Sequence, residues 1–292
     1  MVRLVNTGMP EAWEKLPSDQ GFQCSTILAS GIEMVGWIES QSIPLITLVI
    51  FACCYALAAI TIAAVTLLSR RPVGEDLKML SPVTLTPLAV ILGLLIAFLA
   101  TRVWDNVGRA RDYIGQEAGA LSRVLLFADT LPLEVRAKVQ SAVKDHVEFV
   151  VQHDWPEMAV MNADPREEPV GLRKMVTALL SFTPAQADQQ LAQKSALAAI
   201  EQAFQARRNR IRLSRTEISL IQWNVIFVLF TLILFTTAMV HIGRPAAMAA
   251  ALIIFSSAIA SCLTLLMVND RPFAAGGVTI APAEFRQIIG LD

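Results

Sequence analysis

The chain has 292 residues, of which 54% are hydrophobic and 17% charged, with a formal net charge of -1. A mean hydropathy of +0.53 is too apolar for an ordinary soluble domain and points to the membrane class. A net charge this close to zero excludes a global electrostatic case for nucleic-acid binding.

The N-terminus carries one early cation, Arg3, and then Glu11 and Glu14 before any apolar run. That order is wrong for a cleaved secretory signal, so the first hydrophobic segment is expected to stay in the membrane. Within residues 1–42, the stretch 32–38 places Val35 and Trp37 between Glu33 and Glu39. It fits a short interfacial helix, because Trp favours the headgroup region, and an unstructured start fits equally well.

Four charge-free apolar runs follow: Ile43–Leu68, 82–100, Leu220–Val240 and 246–268. Each reaches or approaches the ~20 residues that carry a helix across ~30 Å of hydrocarbon. Backbone groups in lipid must be satisfied within the segment, which makes these helices rather than strands. Proton pumps and ion-coupled transporters place ionisable groups at membrane depth, and these runs have none, which argues against that class. Of the 24 Lys and Arg, only Arg70, Arg71, Lys78 and Arg244 fall in the two short loops; the rest share a side with the termini and the long segment 101–219. The excess of positive residues near span ends puts that side in the cytoplasm. The expected organisation is therefore a cytoplasmic N-terminal segment (1–42), spans one and two (43–100), a helical cytoplasmic domain (101–219), spans three and four (220–268) and a cytoplasmic tail (269–292).

The second span is expected to run straight on, since no proline lies between Pro87 and Pro132. Beyond Thr101 it turns amphipathic, with Trp104, Val107, Ile114, Leu121 and Leu125 on one broad face. Gly115 and Gly119, four apart, permit a close helix approach. The next helix should start near Thr130 as N-cap, with Pro132 in its first turn and Glu134 near the positive dipole end. Its stripe of Val135, Val139, Val143, Val147 and Val151 reads as core, and Trp155-Pro156 should end it. Residues 162–169 read as a loop and 170–181 as a short helix. Thr183, Pro184 and Gln186 form a capping-box start for a long helix reaching about Arg215.

Candidate sites are few. Arg207, Arg208, Arg210, Arg212 and Arg215 spread round most of a helix; they fit topology anchors on phospholipid headgroups, or a positive ring at a cytoplasmic pore mouth binding an anion. Asp270, Arg271, Pro272 and Phe273 follow the fourth span directly and read as a helix stop or a fixed membrane junction. His146 and His153 lie seven apart on one helix, with Asp145, Glu148 and Asp154 near, but a metal site wants three or four convergent ligands. Asp154, Glu157, Asp164, Glu167 and Glu168 lack the spacing of a calcium loop, and Cys24, Cys53, Cys54 and Cys262 have no metal-ligand spacing. No metal or cofactor is expected. No nucleotide-binding, nucleophile-elbow or zinc-protease motif is present, so an enzyme is not expected. The polar, small or aromatic positions of the second span, Thr84, Thr86, Gly93 and Phe98, are the pore-lining candidates.

The order of these features resembles that of the bacterial bestrophin-like membrane proteins, a family of largely undefined function. The resemblance runs over roughly residues 45–290. It rests on the second span continuing through Trp104, Ala110, Glu117-Ala118 and Leu121, then on Leu131-Pro132, Trp155-Pro156, the arginine-rich stretch before Trp223, and Asp270-Arg271-Pro272-Phe273. It implies an all-α membrane fold with four transmembrane helices and a helical cytoplasmic domain between spans two and three. Bestrophins are pentameric channels, chiefly for anions and gated by calcium in animals. This sequence shows no equivalent of their acidic calcium cluster or aromatic pore neck, Phe98 being the one aromatic residue of the second span. The expectation is a homo-oligomeric ion channel or pore in the bacterial inner membrane, contacting lipid and inorganic ions. The alternative is a membrane-anchored scaffold or regulator acting through its cytoplasmic helices.

Overall fold

The computed structural model of the protein describes residues 42–69, 85–274 and 280–288. The expectations for the N-terminal segment, for the loop with Arg70, Arg71 and Lys78, and for Thr84 lie outside these residues. All regular elements among the described residues are helical. Helix α1 (Ile43–Leu68) opens with Pro44 in its first turn. Helix α2 (Leu85–Ala128) has 44 residues and runs on without a break beyond its apolar part. At ~1.5 Å per residue it is about 66 Å long, over twice the ~30 Å of a hydrocarbon core.

Helix α3 (Leu133–Phe149) passes through a π-helical turn (Val150–Asp154) into α4 (Trp155–Ala159). Helix α5 (Val170–Leu180) and the long α6 (Ala187–Ser214) complete the segment between the second and third apolar helices. Helices α7 (Leu220–Val240) and α8 (Pro245–Asp270) form a tight hairpin, turned at Gly243 with φ +88°. A short α9 (Ala283–Ile288) lies beyond it. Among the described residues, α1, α2, α7 and α8 are the four helices long and apolar enough to cross a membrane. In their bundle, α1 packs on α8 through residues spaced four apart: Ile46, Ile50, Cys54 and Ala58 against Met248, Leu252, Ser256 and Ala260, all buried. The small residues among them, Cys54, Ala58, Ser256 and Ala260, let the two helices approach closely.

Helix α6 runs antiparallel along the outer part of α2, as the pairs Glu117–Arg210 and Arg123–Gln202 show. Both helices bury a seam with alternating steps of three and four. On α2 the seam is Val103, Val107, Ala110, Ile114, Glu117, Leu121, Val124 and Ala128; on α6 it is Ala192, Ala196, Ala199, Ala203, Ala206 and Arg210. That spacing is the coiled-coil seam, and alanines on one side bring the helices close. The valine stripe of α3 is core as expected: Val139, Val143 and Val147 are fully buried, with Val135 and Val151 packed at the edge.

The structure corrects five local expectations. Thr130 is not an N-cap: its hydroxyl donates to Phe127 O (2.8 Å), closing α2, and α3 starts after Pro132, whose carbonyl accepts from Arg136 N–H. Trp155-Pro156 does not end the helix, because the preceding π turn widens the backbone where Pro156 has no N–H to give. The helix runs on to Ala159 and the chain turns at Met161, which takes φ 59° while Asn162 N–H bonds back to Glu157 O. No capping box forms at Thr183; α6 begins at Ala187 without a side-chain cap. A capping box does exist at Ser219 and Gln222, which start α7 after a break at Arg215. Trp104 points outward at 56% exposure, off the buried seam. Gly115 and Gly119 meet no backbone: a methyl added to Gly115 would come 3.5 Å from Glu284 Oε2, and one on Gly119 would come 3.9 Å from Arg123 Nη1.

Candidate functional site

Helix α2 carries two candidate regions, one on each half. On the apolar half, Thr86, Val90, Gly93, Ala97 and Thr101 recur at steps of three and four, which stacks them on one helical face. Thr86 and Gly93 are exposed, and nothing lies within 4 Å of a methyl added to Gly93. Phe98, at 71% exposure, belongs to the adjoining line with Ile91 and Leu94. In the apolar window of α2 only 17% of residues are buried, against 44% in α7, so most of this face has no partner in its own chain. The face changes chemistry at Arg102, whose guanidinium donates to Gln222 Oε1 (3.2 Å). Beyond it Asp105, Arg109, Arg111 and Asp112 are exposed.

The other half holds a buried charge cluster. Glu117 takes one position in the apolar seam of α2, and Arg210 the facing position on α6. Arg210 Nε donates to Glu117 Oε2 (2.9 Å), and its Nη2 donates to Asp154 Oδ2 (3.1 Å). Arg207, one turn away, forks onto Asp154 at 2.8 and 2.7 Å. His146 Nε2–H donates to Glu117 Oε1 (3.1 Å). All five side chains are at most 2% exposed. The two acids and two arginines balance, which is the condition for keeping such charges out of water. Burial alone would raise the Glu117 carboxyl; the Arg210 guanidinium and His146 outweigh it and hold the carboxyl below the usual carboxylate range. Burial likewise opposes the charge on Arg210, and Glu117 and Asp154 more than restore it.

The local backbone explains these placements. The π turn carries Asp154 into the cluster and sets Trp155 over Arg210, 5.1 Å from its guanidinium. The extra residue in that turn also separates the two histidines. His146 faces inward, while His153 stacks on Phe149 at 4.7 Å with nearly half its side chain exposed. Gly171 fixes the crossing of α5 over α3: a methyl there would lie 2.6 Å from the His146 backbone nitrogen.

The end of α8 and the residues after it close the cluster. Asp270 accepts the Ile218 N–H with both oxygens (3.1 and 3.0 Å), tying the end of α8 to the entry of α7. Pro272 O accepts from Ile280 N–H (3.0 Å). Phe273 and Phe285 meet Trp155 edge-on at 5.7 and 5.9 Å, and Trp155 Nε1–H donates to Ile280 O. Phe285 also covers Arg210 at 5.6 Å.

The five arginines singled out in the sequence thus divide between two faces of α6. Arg207 and Arg210 point inward; Arg212 and Arg215 are exposed and Arg208 half-buried. Glu117, His146 and Asp154 were not singled out together as one site. The signal was present: Glu117 and Arg210 each fall at a seam position otherwise held by apolar residues, and a charge there needs an opposite charge across the seam. Among the described residues no group of three or more His, Cys, Asp or Glu is placed to hold a metal ion.

A family model described as a bestrophin-like domain matches residues 52–285. No curated protein matches the chain in sequence. Among solved structures, a variant of a bacterial bestrophin homologue from Klebsiella pneumoniae matches with a TM-score of 0.63 at 12% identity, over 83% of this chain and 96% of that one. A second crystal structure, described as a membrane protein, matches with a TM-score of 0.59 at 14% identity, over 83% and 95%.

Proposed function

The chain belongs to the bestrophin-like family, and from that premise we propose that it is a homo-oligomeric ion channel or pore, with α2 of each copy lining it. The observation that carries this reading is the unpartnered face of α2, small and polar along Thr86, Gly93 and Thr101 and charged beyond Arg102. Four helices in one chain leave no aqueous core, so a conducting path needs several copies with this face turned inward. Thr84, Thr86, Gly93 and Phe98 are its lining residues in this reading, and the outer half of α2 forms a vestibule. A charge-free lining is compatible with conduction, since apolar constrictions gate by dewetting. Arg208, Arg212 and Arg215 supply outward positive charge for anion or headgroup contact. Arg207 and Arg210 act indirectly, by holding the vestibule wall together. Asp270, Arg271, Pro272 and Phe273 form the membrane junction. The excess of Lys and Arg on the side of the 101–219 segment supports a cytoplasmic placement of that segment and both termini, in a bacterial inner membrane.

Ion flux from liposomes containing the purified protein tests this reading, with chloride and potassium gradients applied separately. Flux above that of empty liposomes, altered by Thr86→Val or Phe98→Ala, is the expected result. Replacing Arg212 and Arg215 by Gln should shift the reversal potential. Absence of flux across pH, calcium and voltage would favour a membrane-anchored scaffold. The observation on that side is an open groove of about 720 Å³ between α3 and α5, floored by Ala137, Ser141 and Ala178 and flanked by Lys138, Arg173 and Lys174.

A further inference from the structure

The turn at 165–168 and the C-terminal half of α6 enclose a pocket of about 420 Å³ with a mainly polar wall. The turn is closed by local hydrogen bonds. Asp164 Oδ1 accepts from Arg166 N–H, and Glu167 N–H bonds to Asp164 O. Arg207 of α6 and Arg215, just past its end, clamp the same loop by its carbonyls, Arg207 Nη1 to Glu167 O (2.6 Å) and Arg215 Nη2 to Asn162 O (3.3 Å). Arg207 forms the floor, and Asp154 already neutralises its charge.

Three further guanidiniums line this pocket: Arg166, Arg208 and Arg212. Among the described residues none of them has a carboxylate within 4.0 Å, although Glu167 and Glu168 line the same wall. Glu167 leans instead toward His153 Nδ1, at 4.0 Å. Arg208 is held over the Phe204 ring at 5.8 Å, which limits the freedom it would lose on gripping a ligand. Guanidinium forks without a carboxylate partner, gathered on one pocket wall, match the geometry and charge of a phosphate group.

We propose that this pocket binds a phosphate-class oxyanion: inorganic phosphate, pyrophosphate or the phosphate of a small metabolite. The source is the aqueous phase rather than a lipid headgroup. Arg210, at the level of the pocket, faces Glu117, which lies fifteen residues along α2 beyond Arg102, the first charge after the apolar run. That is about 22 Å of helix, whereas headgroups extend only ~5–8 Å beyond the hydrocarbon. An oxyanion here would draw the 165–168 turn onto α6 directly above the buried cluster. The inference rests on the anion-contact reading of Arg208 and Arg212, and it does not require conduction.

The test is calorimetric titration of inorganic pyrophosphate into the full chain in phosphatidylcholine nanodiscs, at low ionic strength and against matched sodium chloride. The expected result is saturable binding at one site per chain. Arg208→Gln with Arg212→Gln should weaken it at least ten-fold with an unchanged melting temperature, and Arg173→Gln, which lines the separate groove between α3 and α5, should leave it intact. No saturable binding, or equal binding by the double variant, overturns the site. Repeating the titration with phosphatidylglycerol in the nanodiscs separates the sources: loss of pyrophosphate binding through Arg208-dependent competition overturns the aqueous assignment in favour of the lipid. Flux without binding removes only this pocket, and binding without flux leaves the pocket standing while the channel reading falls.

Discussion

The two halves of α2 are one uninterrupted helix held by opposite means. The outer half buries a regular seam against α6 and sets Glu117 against Arg210 within it, so its own chain supplies every partner of that face. The apolar half leaves Thr86, Gly93 and Phe98 outward, with few neighbours from the same chain. A side chain on the first half should therefore matter to the folding of each protomer. A side chain on the second should matter to what lipid, solvent or another copy does there.

The largest expected effect is at Arg210. Arg210→Met leaves the buried Glu117 charge without its guanidinium, with His146 as its remaining side-chain partner, at a cost of about 3–5 kcal/mol, read as a loss of thermal stability and of monodisperse protein in detergent. Adding Glu117→Leu should recover much of that loss, because an apolar pair of similar volume replaces the ion pair. If the second substitution makes matters worse, the cluster does more than balance its own charge.

Acid should reveal the same pair. The Glu117 carboxyl is held below its unfolded value by Arg210 and His146 against the cost of burial. Its contribution is therefore fully present above the unfolded value of ~4.3 and is lost as pH falls through the lower folded value. Stability measured from pH 7 downward should fall in the wild type and fall less steeply in Glu117→Gln, which starts lower. Parallel curves would mean that other carboxylates govern acid unfolding.

Gly171→Ala should cost about 1–3 kcal/mol by forcing α5 off the His146 backbone, with a red shift of tryptophan emission if Trp155 becomes wetter. The smallest effect on folding belongs to Phe98→Ala, within about 0.5 kcal/mol as for an exposed site, and its consequence should be in flux. Destabilisation of the protomer by Phe98→Ala comparable to that of Arg210→Met would erase the contrast between the halves.

Much of the fold was legible because lipid imposes a strict rule. Runs of apolar residues without charge can only be helices in hydrocarbon, and three of the four runs match their helices within a residue or two, while the fourth is described from Leu85 onward. The continuation of α2 was legible because nothing in its sequence could stop it. Local punctuation was read less well. Thr130, Pro156 and Thr183 each carry a turn or cap signal that the tertiary structure overrides, through a closed helix end, a π turn and a late start. Where a helix starts or stops depends on how it packs on its neighbours, which a short window of residues does not contain.

The candidate site divides in the same way. The five arginines stand out as a local charge run, but their separation into an inward Arg207 and Arg210 and an outward Arg208, Arg212 and Arg215 depends on which face of α6 meets α2. Seam spacing in the two helices contained that information; the identity of the partners did not, because Glu117, His146 and Asp154 come from three stretches far apart in the chain. The sequence by itself determined the four apolar helices and the charged helical segment between the second and third, since apolar length and helix continuity are local properties. Only the tertiary structure decided that Glu117, Asp154, Arg207 and Arg210 neutralise one another out of water, since a buried charge is tolerable only where folding delivers its opposite within about 3 Å.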